Sequence, residues 1–157
     1  MKNKEIELQI PEFDNVNSLD TSEEDIEVYN LFQEAKKYLI SHSWCDGIEE
    51  GWLVAGWGYI YAIFLFKIKP AFSNVDDYVW IVVGDIPPAY IDIESARSPK
   101  EVVECYISIM SNWVECVQNG DSVEDCYPVE VPATKEYADM LSNRLKIIEE
   151  EIKTDIE

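Results

Sequence analysis

The chain has 157 residues, a length that fits one domain able to bury a core without disulfides or a bound metal. Hydrophobic residues make up 47% and aromatic residues 12% of it, which excludes a disordered chain. Its 32 acidic and 12 basic residues leave a formal net charge of −20. The electrostatic field of such a negative protein repels the phosphates of nucleic acids and anionic membranes, so we expect neither as a partner.

The charge is unevenly distributed along the chain. Residues 1–50 and 98–157 each carry a net charge of −9, whereas residues 51–97 carry only −2. The middle third is therefore nearly neutral and apolar. We expect the charge to lie on helices that flank this neutral core, where it provides solubility or attracts a basic protein.

The beginning of the chain is polar. Residues 1–20 contain Pro11 and isolated apolar residues, which predicts an N-terminal arm that is partly disordered. They include no apolar run of the length that a signal peptide needs, so we expect a cytoplasmic protein. The four cysteines have no C-x-x-C spacing and only one histidine accompanies them, which predicts free thiols and no metal site.

The first predicted helix covers residues 22–42. Thr21 and Glu24 have the spacing of a capping box, and Val28, Phe32, Ala35 and Leu39 follow at helical spacing. The pattern predicts an amphipathic helix that stops near Asp46 and Gly47.

Strands are predicted in the middle third. Residues 51–66 carry no charge, but three glycines and many aromatic residues favour a buried strand over a membrane helix. We expect residues 48–52 to form a loop or turn and 59–68 a strand that ends before Pro70. A second strand is predicted over residues 78–84, antiparallel to the first because the link between the two strands is short. A short edge strand is predicted over residues 89–93.

Two further helices complete the expected fold. Ser98, Pro99 and Glu101 form a helix start and Asn119-Gly120 a helix stop, which predicts a helix over 99–119. Residues 134–153 carry an apolar stripe at 3–4 spacing. The predicted fold class is α+β, a small antiparallel sheet packed with three amphipathic helices, in one domain that covers residues 21–157.

Asp85 is the first candidate for a functional carboxylate because it follows the end of a strand. The stretch Gly84-Asp85-Ile86-Pro87-Pro88 is also typical of a turn, in which an Asp side chain bonds nearby backbone N–H groups. We interpret it chiefly as a structural corner. No phosphate-binding glycine motif accompanies it.

His42 and Cys45 are the only histidine and cysteine that lie close together in the sequence. Such a pair can serve as base and nucleophile. A helix C-terminus does not favour a thiolate, however, because the helix dipole is negative there. The stronger expectation is that His42 bonds the last carbonyls of the helix.

Tryptophan is abundant, and Trp44, Trp52 and Trp57 fall in the least regular part of the predicted core. Together with Asp85 and His42 they are the candidate ligand-binding residues. Carboxylates on the flanking helices are the candidate partner-binding residues: Glu23, Glu24, Glu27, Glu149 and Glu150. The sequence predicts no cofactor, since neither carboxylate cluster follows a calcium-loop pattern, whether Asp76 and Asp77 or Asp46, Glu49 and Glu50.

Four segments carry a resemblance to a known family. They are Ala62 to Pro70, Trp80 to Ile91, Tyr106 to Gly120 with Trp113-Val114 inside it, and Pro128 to Leu145. Over roughly residues 45–150 the chain resembles a family of small bacterial proteins known only as a domain of unknown function. In size and charge it is also loosely similar to immunity proteins that neutralise bacterial toxins. The first resemblance implies a fold, and neither implies catalytic residues.

Three functions are compatible with these observations. The favoured hypothesis is a binding module, of the immunity or inhibitor type, that engages a basic protein such as a toxin. The second is an enzyme or small-ligand binder with a pocket near Asp85 and the tryptophans. The third is a structural or regulatory oligomer that pairs through the last helix.

Overall fold

The protein has an α+β fold in which three helices pack against one antiparallel sheet. The computed structural model describes residues 14–15, 23–57, 61–124, 126, 129 and 131–155, with side chains described for 27–55, 61–124, 126, 129 and 131–150. In chain order the elements are β1 (Asp14–Asn15), α1 (Glu23–Ile40), β2 (Cys45–Trp57), β3 (Tyr61–Pro70), β4 (Tyr78–Gly84), β5 (Ala89–Asp92), α2 (Pro99–Asn119) and α3 (Lys135–Asp155).

The strands lie in the sheet in the same order as in the sequence, β1-β2-β3-β4-β5. Every neighbouring pair is antiparallel, and β1 adds only two residues, opposite Leu53 and Trp52 of β2. The short links on either side of β4 explain this order, because antiparallel strands need only a tight connection. The predicted fold class and the three predicted helices are confirmed.

The two central strands are buried on both faces. Residues 61–66 and Ile68 of β3 are all buried, as are residues 79–83 of β4. Strands covered on both sides show continuous apolar runs rather than alternation. Alternate side chains of each strand therefore enter two separate cores.

The first core lies between the sheet and α1. Phe32 and Leu39 of α1 pack with residues from all three long strands, among them Phe64 and Phe66. The rings of Phe32 and Phe66 are stacked with their centroids 5.4 Å apart. This aromatic stack joins α1 to the middle of the sheet.

The second core lies between the opposite face of the sheet and the helices α2 and α3. Trp80 of β4 and Trp113 of α2 are its largest fully buried side chains, and α3 contributes Ala138, Leu141, Leu145 and Ile148. The Trp80 indole N–H donates to the carbonyl of Ala96 over 2.8 Å, which satisfies its buried polar atom. No helix among the described residues is long and apolar enough to cross a membrane.

Both ends of α2 are capped as its sequence predicts. Ser98 Oγ accepts from the Glu101 N–H, and Glu101 Oε1 accepts from the N–H of Arg97, one residue before the cap. Gly120 takes a left-handed conformation with φ of 76°, which only glycine adopts without strain. The expected helix over 99–119 is confirmed.

The expected loop at residues 48–52 is wrong, because these residues lie inside the 13-residue strand β2. The uncharged run over 51–66 is likewise not one strand: it is shared between β2 and β3, with residues 58–60 outside the described part of the chain. The β2–β3 pairing shifts register between Cys45 and Gly47, between Ile48 and Glu50, and between Leu53 and Ala55. Each irregularity interrupts the period of two, so the sequence of β2 does not look like a strand.

Pro70 also departs from expectation, because β3 includes it. It is the last residue of the strand and pairs with Cys45, the first residue of β2. A proline at a strand end removes no hydrogen bond that the interior of the ladder requires. The strand therefore runs two residues further than predicted.

A glycine conformation and a hydrogen bond from α2 fix the corner after β4. Gly84 has a φ of 143°, which a residue with a Cβ rarely adopts, and it ends the strand. The Tyr106 hydroxyl of α2 donates to the Pro87 carbonyl over 2.7 Å. This contact joins the corner to the second core.

The predicted arm over residues 1–20 and the capping box of Thr21 and Glu24 lie largely outside the described residues. Within the arm, the structure describes only Asp14 and Asn15, which form β1. That residues 21–157 form a single domain stays a prediction.

Gly51 provides a test of the first core. A Cβ at this position would lie 2.6 Å from Phe32 Cε1 and 2.9 Å from Phe66 Cε1, inside the stacked pair. We expect Gly51→Ala to lower the free energy of unfolding by about 1–3 kcal/mol through overpacking, measured by urea denaturation.

Gly47→Ala is the matched control in the same strand. Its Cβ would meet only Lys69 Cδ at an ordinary 3.6 Å, so a change within about 0.5 kcal/mol is expected. Equal losses for the two variants would contradict the packing described here.

Candidate functional site

A groove lies on the α1 face of the sheet, at the end that α1 does not cover. Pairing of Val79 with Asp92 brings the start of β4 beside the end of β5, and the β3–β4 link forms the outer wall. The groove has a volume of about 450 Å³. The described residues that line it are Trp44, Ser73, Asn74, Val75, Asp76, Tyr78, Val79, Tyr90, Asp92 and Glu94.

One wall of this groove is aromatic. The Trp44 and Tyr90 rings meet edge to face with their centroids 5.1 Å apart, and the His42 ring lies 5.0 Å from each of them. Tyr38 of α1 contacts the far side of His42 at 4.8 Å. The cluster fixes the orientation of the Trp44 and Tyr90 rings.

The turn after α1 positions Trp44. Ser41 Oγ and His42 Nδ1 both donate to the Tyr38 carbonyl, over 2.6 and 2.9 Å, and so cap the last turn of the helix. The Trp44 carbonyl accepts from the N–H of Ala71 over 2.9 Å. Trp44 is thereby held between the helix end and the beginning of the β3–β4 link.

Carboxylates form the opposite rim. Asp76 comes from the β3–β4 link, while Asp92 and Glu94 are exposed at and beyond the end of β5. Of the described residues that line the groove, none is basic. Aromatic faces beside carboxylates suit an ammonium or guanidinium group, which ring quadrupoles and charged oxygens both attract.

The side chains of His42 and Cys45 bond different groups. His42 bonds the Tyr38 carbonyl, as the sequence analysis favours, and the Cys45 thiol donates to the Gly47 carbonyl over 3.5 Å. Burial is the main cause that raises the pKa of the Cys45 thiol, and the charge of Asp46 adds to it. A protonated, buried thiol is the opposite of an activated nucleophile.

Asp85 bonds a distant helix. Its Oδ2 accepts from Arg144 Nε over 3.0 Å and also from Nη2 of the same guanidinium. Arg144 lies on α3, so the pair connects the β4–β5 corner to the last helix. The contact ties the corner to α3 and so has a structural role.

A second cavity, of about 290 Å³, surrounds this ion pair. Apolar and proline side chains form most of its lining, with Tyr137 and Met140 exposed at its edge. Asp85 and Trp44 line different cavities at opposite ends of β4, which is about 20 Å long at about 3.3 Å per residue. The structure therefore does not bring Asp85 together with the tryptophans.

The other candidate tryptophans have different surroundings. Trp52 is 7% exposed and belongs to the second core. Trp57 ends β2, and its side chain lies outside the described residues. Of the ligand-binding candidates whose side chains are described, Trp44 alone lines the groove, and His42 contacts Trp44.

The partner-binding candidates do not form one patch. Glu27 lies on α1, whereas Glu149 and Glu150 are exposed on α3, across the sheet. Glu23 and Glu24 begin α1, but their side chains are not described. Among the side chains that are described, no three His, Cys, Asp or Glu residues are grouped so as to hold a metal ion.

The groove acids were not among the predicted binding residues, because they belong to the nearly neutral middle third of the chain. Asp92 and Glu94 are remote in sequence from Asp76, and only the β4–β5 register brings them together. The available signal was the short link between the two strands, which predicts that the end of β5 returns to the start of β4.

Comparison with known proteins adds no relative to these observations. No protein-family model, curated protein or solved structure matches the chain.

The Asp85–Arg144 pair allows a test of whether the corner is structural. The side chains are 58% and 34% exposed, and ion pairs with such exposure contribute at most about 1 kcal/mol. We expect Asp85→Asn and Arg144→Gln each to lower the free energy of unfolding by less than about 1 kcal/mol. The double variant should lose less than the sum of the two, as measured by urea denaturation.

A gain in stability for Asp85→Asn would argue instead for a strained functional residue at this position.

The buried thiols give a pH-dependent prediction. Burial raises the pKa of Cys45 and also that of Cys105, to which nearby Asp92 adds. In a Cys116→Ser/Cys126→Ser variant we expect both remaining thiols to react slowly with iodoacetamide at neutral pH, and far faster once urea unfolds the chain.

The same shifts predict how stability depends on pH. The fold favours the protonated thiols, so this contribution is complete below the ordinary thiol pKa of about 8.5 and is lost as the pH rises through the raised values. Equal alkylation rates in folded and unfolded protein at neutral pH would contradict this account.

Proposed function

We propose that the protein is a binding module that engages a basic protein partner through the groove. The observation that carries this proposal is the pairing of an aromatic wall, Trp44 and Tyr90, with a rim of carboxylates that contains no base among its described residues. A lysine or arginine side chain has both an apolar stem for the wall and a charged end for the rim.

The charge of the whole chain supports the same kind of partner. A net charge of −20 raises the local concentration of a cationic protein around the molecule and speeds encounter. Outside the groove, the acids on α1 and α3 would guide approach rather than form the contact. The groove would provide the specific step.

In its sharpest form the proposal is an immunity or inhibitor protein that neutralises a basic toxin in the cytoplasm. Enzymes that act on phosphates carry basic clefts, and an acidic protein can occupy such a cleft. The resemblance in size and charge to immunity proteins supports this version, as does the predicted state of the cysteines as free thiols.

Self-association through α3 is a second candidate with an observation of its own. Tyr137, Met140 and Ile147 are exposed on one side of that helix. The net charge opposes pairing of two copies, because like charges repel. We therefore favour a basic partner.

A lysine- and arginine-rich synthetic peptide serves as the probe for the groove. We expect it to bind the full chain at low ionic strength and to bind more weakly as salt screens the charges. Asp92→Asn/Glu94→Gln should weaken binding by about tenfold, because two carboxylates together contribute about 1.4 kcal/mol. Isothermal titration calorimetry measures both effects.

Glu149→Gln/Glu150→Gln is the matched control, since it removes the same charge from the opposite side of the sheet. We expect less than about a twofold change for this variant. Equal weakening by the two double variants would show that net charge alone, and not the groove, accounts for the binding. Absence of binding at low ionic strength would contradict the proposed function itself.

A further inference from the structure

Two thiols lie in contact at the C-terminal end of α2. Cys116 is in the last turn of the helix, and Cys126 belongs to the connection between α2 and α3. Their Sγ atoms are 3.4 Å apart, and the Asn112 side-chain N–H donates to Cys126 Sγ over 3.5 Å. Neither the fold nor the proposed function depends on this pair of thiols.

The chain between the two thiols folds back onto the helix. The N–H groups of Gly120 and Asp121 donate to carbonyls in the last turn of α2, and the Cys126 N–H donates to the Val123 carbonyl over 3.1 Å. Val123 and Cys126 pack at the edge of the second core. These contacts keep Cys126 beside Cys116.

We propose that Cys116 and Cys126 form a reversible disulfide, so that this end of α2 is a site of oxidative modification. The Sγ separation of 3.4 Å needs to shorten by only about 1.4 Å to reach a disulfide bond. Both side chains are partly exposed, so a small oxidant reaches them. The proposal is independent of the groove and of the basic partner.

The oxidant is a low-molecular-weight disulfide, such as oxidised glutathione. One protein thiolate attacks a sulfur of the oxidant, whose S–S bond breaks, and the released thiolate takes up a proton. The second protein thiolate then attacks the mixed disulfide, forms the Sγ–Sγ bond and releases the second small thiol. The protein loses two electrons and two protons, and the oxidant is reduced to two thiols.

The other two cysteines form an internal control. Cys45 belongs to the core under α1, whereas Cys105 packs against the core on the opposite face of the sheet. The folded sheet therefore separates them, and they cannot join without unfolding. Hydrogen bonding to Cys126 is the main cause that raises the pKa of the Cys116 thiol.

The bond would tie the connection after α2 to the last turn of that helix. It closes a short covalent ring, which limits how far residues 121–124 can separate from the helix end. We therefore expect slower amide hydrogen exchange over residues 121–124 in the oxidised protein.

Equilibration of the full chain in buffers of reduced and oxidised glutathione tests the proposal. Intact mass and non-reducing peptide mapping should show loss of two hydrogens and a Cys116–Cys126 link in the wild type and in Cys45→Ser/Cys105→Ser. The Cys116→Ser/Cys126→Ser variant should need at least about tenfold more oxidant to form any internal link.

Three results would overturn the proposal. The first is an internal link that involves Cys45 or Cys105 in the folded wild type, and the second is equal oxidant demand in the two double variants. The third is unchanged hydrogen exchange over residues 121–124 after oxidation, which would show that the bond does not hold the connection in place.

Discussion

The structure depends on burial of the central strands β3 and β4 on both faces. Neither strand has a solvent side, so each face of the sheet requires its own cover. Helix α1 provides one cover with Phe32 and Leu39, and the α2–α3 pair provides the other with Trp113 and the α3 stripe. The absence of charge from the buried residues 61–66 and 79–83 follows from the same constraint, because a charged side chain there would be buried without a partner.

The groove exists because helix α1 does not extend over the whole of its face of the sheet. Helix α1 ends at Ile40, and the following turn places His42 and Trp44 over the end of the sheet. Beyond Trp44 the sheet continues to Asp92 without a helix above it, and acids can lie there because water reaches them. Three acids of the middle third, Asp76, Asp92 and Glu94, therefore line the groove. Most of the charge lies on the flanking helices, but Glu149 and Glu150 of α3 are on the other side of the sheet from this groove.

The sequence predicts what is local and misses what depends on pairing. Both ends of α2 can be predicted from the sequence, because the capping residues Ser98, Glu101 and Gly120 bond groups only a few residues away. Strand β2 is not readable, since its three irregularities break the alternation that identifies strands. The sequence around Asp85 favours a structural turn, yet the partner of Asp85 is Arg144, 59 residues away, and no local pattern indicates it. Trp44 was a candidate from the sequence, but Asp92 required the β4–β5 register to be known.

The agreement between strand order and chain order has a kinetic consequence. Each strand of the sheet pairs with its neighbour in sequence, and strands β2 to β5 can assemble by successive short loop closures, through residues 71–77 and 85–88 among others. The entropy lost on closing a loop grows with its length, and a fold made of sequential contacts therefore has a low barrier to formation. The pairing of β1 with β2 and the docking of the helices on the two faces add longer-range contacts. Such a chain can complete its sheet as a meander before either core closes, with the helices arriving last on a template that already exists.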